Sequence, residues 1–546
     1  MRFFALVFMS LYAFSALGQD SSRKGSMKDA QFIIEKERKN LLPEMPRLFE
    51  KPPPPKAKEV NSLTYTLEEV GDKPEILQRT ISILQAKQDV FTKRYDTYIK
   101  VGYGNFVSPY LEGFFNNKSH QKYVYGIHLK HRSFQRGPLD RKNAGEGHHT
   151  IDLNGKLFTK PFLLAGALQY NRDRYHFYEY KLPPTANRNK IQQVFNQLGG
   201  NVTLKNNSDS TLMHYRFNTD FYFLKDFYQA REDHIGFHGS VAYAIKDSWK
   251  LKLITDLDLT KHTDIVSINR NLWRIKPVLL LPIDTFQLEV GCNVVYQNDA
   301  SFVVNTFNMY PFLEGKYTRN EAVIPYVGIQ GDIKRTSFKD LVDENPLLAP
   351  QVALRNTNQT ASFYGGVQGN IIEQLLFHAG FSLANYKNLY FFINSPRDAS
   401  RFDLEYDQKG TSLFNLFGEL SYGNQAKTFT GHLKGDYFVY KTGQLTKPWH
   451  RPKYKVDLLG TYNWSHKIFL KTTLYWLGGI EALNRDTGTS QQLNDVVDLG
   501  TSVDYLLLKK LSVFANFQNI LAYRNERYLN YPTRGFQFLG GLTYTW

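Results

Sequence analysis

The last residues of the chain alternate between two kinds of side chain, and this stretch constrains the fold more than any other. One face of the predicted strand carries large apolar residues and a glycine: Phe536, Phe538, Gly540, Leu542, Tyr544 and Trp546. A strand at the end of a chain leaves one edge without a neighbour unless another strand pairs with it. We therefore expect this segment to close a barrel by pairing with the first strand.

The same alternation recurs between residues 94 and 546. Clear examples are 94–104, 123–130, 251–259, 429–439 and 456–464, where aromatic and branched residues share one face and charged or small residues share the other. Counting such segments predicts an all-β fold of about 22 strands, within a range of roughly 16 to 24.

The predicted connections alternate between tight turns and long loops. The tight turns are 117–119, 158–161, 206–210, 246–248, 284–285, 370–374, 465–466 and 509–510. The long loops are 132–147, 178–190, 334–356, 386–410, 441–451, 479–494 and 522–533. Long loops at one end and tight turns at the other are typical of outer-membrane barrels. A soluble sandwich or propeller, the alternative fold, has no reason to show this sidedness.

Composition favours the membrane form of this fold. The chain has 40 Phe, 35 Tyr and 6 Trp, yet its mean hydropathy is −0.42. After the N-terminus no run reaches the roughly 18 apolar residues of a helical membrane span. We therefore predict a transmembrane antiparallel β-barrel, with half of each strand facing lipid and half facing a wet lumen.

The N-terminal part differs from the rest. Arg2, the apolar run from Phe3 to Leu17, and small residues before Gln19 predict a cleavable signal peptide at 1–18. A short membrane helix is the alternative, but the run is shorter than a bilayer requires. Residues 19–92 are highly charged and include a four-proline spacer at 52–55, which predicts a periplasmic arm. Within it, 62–70 could form a strand and 76–91 a helix. The barrel is expected to occupy 93–546.

Charge and cysteine content exclude other classes. The formal net charge is +16, but basic and acidic residues are interspersed, which does not favour nucleic-acid binding. Basic residues that face a lumen or lipopolysaccharide phosphates explain the charge more simply. Cys292 is the single cysteine, so no internal disulfide can form, and its parity predicts an inert thiol on the lipid face.

The C-terminal segment and several motifs resemble known outer-membrane proteins. The segments are Asn519-Ile520-Leu521, Tyr531-Pro532, Arg534-Gly535-Phe536 leading into the last strand, and Lys100-Val101-Gly102-Tyr103-Gly104-Asn105. They resemble the barrel half of TonB-dependent receptors, in a plug-less form of the kind expected in Bacteroidota. The resemblance implies that Phe536, Phe538, Leu542, Tyr544 and Trp546 act as an assembly signal read by the barrel-assembly machinery.

The chain departs from this family before the barrel. Receptors of the family carry a folded plug preceded by an energy-coupling box, and residues 19–92 are too short and too Pro-interrupted to form that plug. An open lumen of this size would compromise the membrane, so the arm, inward-folding loops or a partner subunit should fill it.

Two functional classes remain open. The first is solute uptake across the outer membrane of a Gram-negative cell, with the long loops extracellular and the arm periplasmic. The second is a non-transporting accessory barrel, which serves as a platform for lipoproteins or for assembly or secretion machinery. Outer-membrane lipid, lipopolysaccharide and a lipoprotein or periplasmic protein are the expected partners, with no nucleic acid.

Side chains capable of catalysis or metal binding do not form a recognisable motif, so we expect no enzyme, metal or cofactor. His148 and His149 could bind a metal, but adjacent residues on a strand point in opposite directions. His432, Lys434 and Asp436 share a face, which predicts a polar row along the lumen. The aromatic residues at 175, 177, 178 and 180 could stack on sugar rings, although a girdle at the membrane interface explains them more simply.

Overall fold

A computed structural model describes residues 97–117, 122–139, 144–177, 190–206, 212–246, 249–299, 306–320, 322–424, 428–485 and 487–546. The predicted signal peptide and arm lie outside these residues. Twenty-two antiparallel strands form one sheet. They are β1 (Thr97–Gly104), β2 (Ser108–Asn116), β3 (Tyr123–Phe134), β4 (Glu146–Phe158), β5 (Phe162–His176), β6 (Gln192–Asn206), β7 (Met213–Lys225), β8 (Arg231–Lys246), β9 (Trp249–Thr263), β10 (Ser267–Ile283), β11 (Phe286–Asp299), β12 (Phe307–Tyr317), β13 (Ile324–Lys334), β14 (Thr357–Ile372), β15 (Leu375–Lys387), β18 (Thr411–Gly423), β19 (Phe429–Lys441), β20 (Tyr454–Trp464), β21 (Ile468–Gly478), β24 (Val496–Leu508), β25 (Leu511–Gln518) and β28 (Gln537–Thr545).

The sheet closes on itself through its terminal strands. β28 pairs with β25 on one side and with β1 on the other, in a register that places Gly541 opposite Gly102. The amide of Trp546 also donates to the carbonyl of Thr97 at 3.1 Å. The prediction of a closing strand, and of a transmembrane antiparallel barrel of about 22 strands, is confirmed.

A glycine pair makes room for an aromatic ring at this seam. A Cβ built on Gly541 would lie 2.0 Å from the carbonyl oxygen of Val101, and one on Gly102 would lie 2.8 Å from the ring of Phe514. The Lys100 ammonium also lies 4.0 Å from the centroid of that ring. Glycine at both positions therefore lets Phe514 pack over the junction between the first and last strands.

The alternation predicted for the wall is present in the structure. Val101 and Tyr103 are more than half exposed on the outer face of β1, while Lys100 points inward to within 3.6 Å of Asp504. Cys292 shares the outer face of β11 with Val290 and Tyr296, as predicted. An outer surface of large exposed apolar side chains is what a bilayer requires.

The connections fall into two sets, as the sequence predicted. Tight turns join strands at one end of the barrel, and the long loops join them at the other, together with short connections at 105–107 and 264–266. The described residues of the long loops contain one helix, α1 (Phe338–Glu344), and three small hairpins: β16 (Leu389–Asn394) with β17 (Phe402–Asp407), β22 (Glu481–Asn484) with β23 (Thr489–Gln492), and β26 (Glu526–Tyr528) with β27 (Tyr531–Pro532). No helix in the described part of the chain is long and apolar enough to cross a membrane.

Candidate functional site: a cap of inward-folded loops

Five loops at the long-loop end of the barrel pack together, and we call them the cap loops: 335–356, 388–410, 442–453, 479–495 and 519–536. Contacts of loop 335–356 show the direction in which this loop folds. The amides of Phe338 and Lys339 donate to the Glu232 carboxylate on β8 at 2.8 and 3.1 Å. Glu232 faces the lumen, and β9 to β12 lie between β8 and this loop in the wall. The loop therefore turns inward across the mouth.

A buried ion pair fixes both ends of loop 335–356 to the wall. The Arg270 guanidinium on β10 contacts both carboxylate oxygens of Asp299 on β11 at 3.0 Å. It also donates to the carbonyl of Thr336 at 2.6 Å and to Asn356 Oδ1 at 2.9 Å, and the Asn356 amide donates to Asp299 at 3.0 Å. We call these four residues the Arg270 anchor. Arg270 and Asp299 are each 2% exposed, so the charges satisfy one another away from water.

Local sequence explains why the loop begins a helix at this point. Ser337 caps α1, because its hydroxyl accepts from the Asp340 amide at 3.0 Å and its own amide donates to the Asp340 carboxylate at 3.0 Å. This reciprocal arrangement satisfies two helix-end amides. Glu232 accepts from two more, and from the Tyr222 hydroxyl at 2.8 Å.

An apolar core holds the cap loops together. Its members come from several loops and from the inward faces of β6 and β7, and they are fully or largely buried: Phe177, Phe195, Tyr222, Leu224, Phe338, Leu341, Leu348, Phe392, Phe402, Tyr528 and Tyr531. Burying one such side chain stabilises the packed state by about 1.5–3 kcal/mol. The cap therefore has a core of its own, distinct from the outer apolar band of the wall.

One carboxylate links three of the cap loops. Glu344, at the end of α1, accepts from Arg451 at 3.0 Å and from the Tyr390 hydroxyl at 2.5 Å. Its backbone carbonyl accepts from the Tyr528 hydroxyl at 2.8 Å. Arg451 also donates to the carbonyl of Tyr390 at 2.9 Å. Burial raises the pKa of Tyr390 and Tyr528, so both stay neutral donors.

His450 joins the same loops as a neutral side chain. Its Nδ1 donates to the carbonyl of Phe392 at 2.7 Å, and its Nε2 accepts from the amide of Leu529 at 3.3 Å. These partners require a single tautomer, protonated at Nδ1. Burial lowers the pKa of His450 to about 3, and the nearby Arg527 guanidinium acts in the same direction.

Further contacts extend the cap across the mouth. Arg401 donates to the Tyr228 hydroxyl at 2.8 Å, and its guanidinium lies 4.5 Å from the centroid of the Phe177 ring. Tyr228 belongs to the connection between β7 and β8, whereas Arg401 lies between β15 and β18. The amide of Gln351 also donates to Asp264, between β9 and β10, at 2.7 Å. Loops from distant parts of the wall therefore meet over the lumen.

Below the cap, histidines of the lumen wall lie between carboxylates. The inward-facing His128 lies between Glu112 and Asp152, at 3.0 and 2.9 Å. His238 lies between Asp220 and Asp256, at 3.0 and 2.9 Å. Within the residues the structure describes, no group of three or more His, Cys, Asp or Glu side chains is arranged to hold a metal ion.

The structure separates the two adjacent histidines as predicted. His148 faces inward and contacts Asp173 at 2.7 Å, while His149 faces outward with its Nδ1 3.1 Å from that of His131. The inward row on β19 is also present, since Asp436 is buried beside Asn415. The predicted assembly residues Phe536, Phe538, Leu542, Tyr544 and Trp546 lie together on the outer face of the closing strand, where each is 39–51% exposed.

The aromatic run that begins at the end of β5 does not lie where the sequence predicted. Phe177 is 2% exposed in the apolar core of the cap, and Tyr175 packs against that core. Neither residue lies in an interfacial girdle or on a surface open to a sugar, so both interpretations are wrong for this pair. Residues 178 and 180 lie outside the described residues.

The cap residues are the part of the site that sequence reasoning missed. One local signal was available, because Ser337 followed three residues later by Asp340 is a helix-start pattern inside a long loop. No comparable signal marks Arg270, Asp299 or Arg451, whose partners are distant in sequence.

Comparisons with known proteins agree on the fold. No protein-family model and no curated protein sequence matches the chain. Among solved structures, the FrpB iron transporter from Neisseria meningitidis matches with a TM-score of 0.63 and 8% identity, over 83% of this chain and 82% of that one. The siderophore receptor PirA from Acinetobacter baumannii matches with a TM-score of 0.60 and 10% identity, over 82% of this chain and 80% of that one. A variant of the ferric enterobactin receptor PfeA from Pseudomonas aeruginosa matches with a TM-score of 0.58 and 12% identity, over 82% of this chain and 80% of that one. The chain therefore shares the fold of these proteins.

Proposed function

We propose that this protein is an outer-membrane barrel of the TonB-dependent receptor type, which takes up a solute across the outer membrane of a Gram-negative cell. In this proposal the long loops are extracellular and the residues before β1 are periplasmic. The observation that carries it is the cap: a wide barrel whose mouth is covered by loops with their own buried core. A permanently open pore needs no such core, whereas a gated passage needs a closed state.

In this proposal the cap and the lumen have separate tasks. The cap excludes water and ions from the mouth until a solute parts the loops. Hydrogen-bonded side chains such as His128 and Glu112 then provide a polar wall. Iron complexes are the first solute class to test, because the names of the structural neighbours are those of iron transporters and siderophore receptors.

The proposal includes a plug-less chain of the kind expected in Bacteroidota. In the proposed mechanism the mouth is closed without the displacement of a folded plug by energy coupling. The cap instead supplies the closure, and insertion depends on the outer-face residues of β28, read by the barrel-assembly machinery.

A second function is favoured by one observation. The cap is tied by buried charges to the wall at Arg270 and between loops at Arg451, which suits a barrel that stays sealed. Such a barrel would act as a platform for a lipoprotein or for assembly or secretion machinery. No transport would then be expected.

Conductance in planar bilayers separates the two functions. Three proteins are compared: the full chain, a variant with 338–352 replaced by a short Gly-Ser linker, and the same variant lacking 19–92. Gated uptake predicts low conductance for the full chain and large stable channels after one of the deletions. Silence in all three, with a lipoprotein co-purifying from solubilised membranes, would refute uptake and support the platform.

Trp449 offers a direct test of solute class. It is 4% exposed within the cap, so binding of a ferric siderophore there should quench its emission by proximity to iron. The matched control is Trp449→Phe, which should lose most of the quenching. Equal quenching in both proteins would mean that the iron complex binds away from Trp449. No quenching in either protein would exclude a ferric siderophore as the solute.

A further inference from the structure

The outer face of the barrel carries a row of basic and polar side chains that uptake does not use. Its members are in register on neighbouring strands from β3 to β8: His131, His149, Arg172, Asn196, Lys225 and Arg231. The next outward row toward the turns is mostly apolar: Leu129, Ile151, Tyr170, Leu198, Phe223 and Asp233. The row after that has no charge at all: Ile127, Leu153, Leu168, Gly200, Phe221 and Ile235.

The row therefore marks an edge of the apolar band. Side chains below it, such as Leu168 and Ile235, are about half exposed and suited to hydrocarbon. Basic residues immediately beyond such a band lie at the depth of lipid headgroups. A ligand at this edge would place its apolar part against the wall and its polar part against the row.

Charge is segregated between the two faces in this sector. The acidic residues of β3 to β7 are Glu146, Asp152, Asp173 and Asp220, and all four have the parity of the lumen face. The outer face of these strands consequently carries basic side chains and no carboxylate. On β8, by contrast, Arg231 lies 2.7 Å from the outward-facing Asp233. The sector from β3 to β7 is thus the part of the row that attracts an anion.

The residues of this sector lie close enough to act together. The Nδ1 atoms of His131 and His149 are 3.1 Å apart, and their ring centroids are 4.6 Å apart. Arg172 is exposed and pairs in register with His149, and its guanidinium reaches the Asn196 side chain only at 3.5 Å. Arg174 follows two residues later on the same face. An arginine fork binds phosphate oxygens through paired N–H donors.

We propose that His131, His149, Arg172 and Arg174 form a binding site for the phosphate groups of a membrane lipid. With the long loops extracellular, as proposed above, that lipid is the phosphorylated glycolipid of the outer leaflet. Its acyl chains lie along Ile151 and the apolar rows, and its phosphate lies against the arginines. The site keeps one lipid in place beside β3 to β5 and orients the barrel in the leaflet.

Native mass spectrometry of the full chain in detergent tests the site. The probes are bis-phosphorylated lipid A, the same lipid with its phosphates removed, and inorganic phosphate. The test variant is Arg172→Gln with Arg174→Gln. The matched control is Lys387→Gln with Lys441→Gln, two exposed outward lysines at the same end of the barrel on β15 and β19. Retention of heat-modifiable migration confirms that each variant is folded.

The expected result is about fivefold weaker binding of phosphorylated lipid A for each arginine removed, hence about 25-fold for the double variant. The control should bind within about twofold of the unchanged protein, and the dephosphorylated lipid should bind weakly to all three. Equal binding of both lipids, or an equal loss in test and control variants, would overturn the proposal. Tight saturation by inorganic phosphate alone would overturn the lipid as the source. None of these outcomes depends on conductance, so uptake and lipid binding are refuted separately.

Discussion

Removing one carboxylate from the Arg270 anchor should release loop 335–356. Asp299→Ala leaves the Arg270 guanidinium buried without its counter-ion, and removes the acceptor of the Asn356 amide. Breaking a buried pair in this way costs about 3–5 kcal/mol. Arg270 keeps the carbonyl of Thr336 and the side chain of Asn356 as acceptors, so we expect the lower limit, about 3 kcal/mol.

Hydrogen exchange measures this loss of stability in loop 335–356 itself. About 3 kcal/mol corresponds to an opening equilibrium about 100-fold larger, so amides of 335–356 should exchange about 100-fold faster in detergent-purified protein. The wall strands should be unaffected. The matched control is Asp233→Ala, which removes a carboxylate from an exposed pair with Arg231 and should cost under about 1 kcal/mol.

Two results would refute this reasoning. Exchange within about threefold of the unchanged protein would mean that the ion pair does not hold the loop. Faster exchange throughout the barrel would mean that the loop is not a unit that opens by itself.

Three further predictions concern the seam, the cap and assembly. Gly541→Val forces a side chain into the carbonyl of Val101, so it should lower the unfolding temperature of the barrel or prevent closure. Gly460→Val, where a Cβ meets nothing within 4 Å, should be tolerated in the same heat-modifiability assay. The pKa of His450, about 3 in the closed cap, lies below its usual value of about 6.5, so its contribution is complete above pH 6.5 and is lost as pH falls toward 3. At pH 5 the cap should open more easily by about 2 kcal/mol than at pH 7, and exchange in His450→Gln should lack this difference. Trp546→Ala should reduce the yield of folded barrel in membranes more than Trp464→Ala, which removes another exposed tryptophan at the same end; equal yields would remove the closing strand from the assembly signal.

The wall could be predicted from the sequence because its physics is local. Each wall residue faces lipid or lumen according to its parity, so neighbours such as Lys100 and Val101 reveal the two environments without knowledge of any distant contact. The register of each strand is then set by its pairing with the next strand along the chain. β1 and β28 pair although they lie at opposite ends of the barrel sequence. This pairing could still be predicted, because each terminal strand would otherwise have an edge without hydrogen-bond partners.

Inward-folding loops were one of three expected ways to fill the lumen, but the contacts that hold the cap could not be predicted because the partners are far apart in the chain. Tyr528 reaches the carbonyl of Glu344, and Arg401 reaches Tyr228, between loops with no shared periodicity. Long polar loops also look alike whether they extend into solvent or fold inward. The amphipathic segment after Ser337 was the one local indication that a loop carried an apolar face to bury.

The cap is held by two kinds of contact, and the difference suggests how it opens. Loop 335–356 is fixed to the wall by Arg270 and Glu232, which lie on strands that cannot move without breaking the sheet. Loops 388–410, 442–453 and 519–536 are fixed to one another through Arg451 and His450, and to loop 335–356 through Glu344. Contacts between loops can exchange for contacts with a solute, whereas contacts with the wall offer no comparable substitute. A solute that enters the mouth would therefore separate the last three loops first and leave 335–356 as the fixed side of the opening.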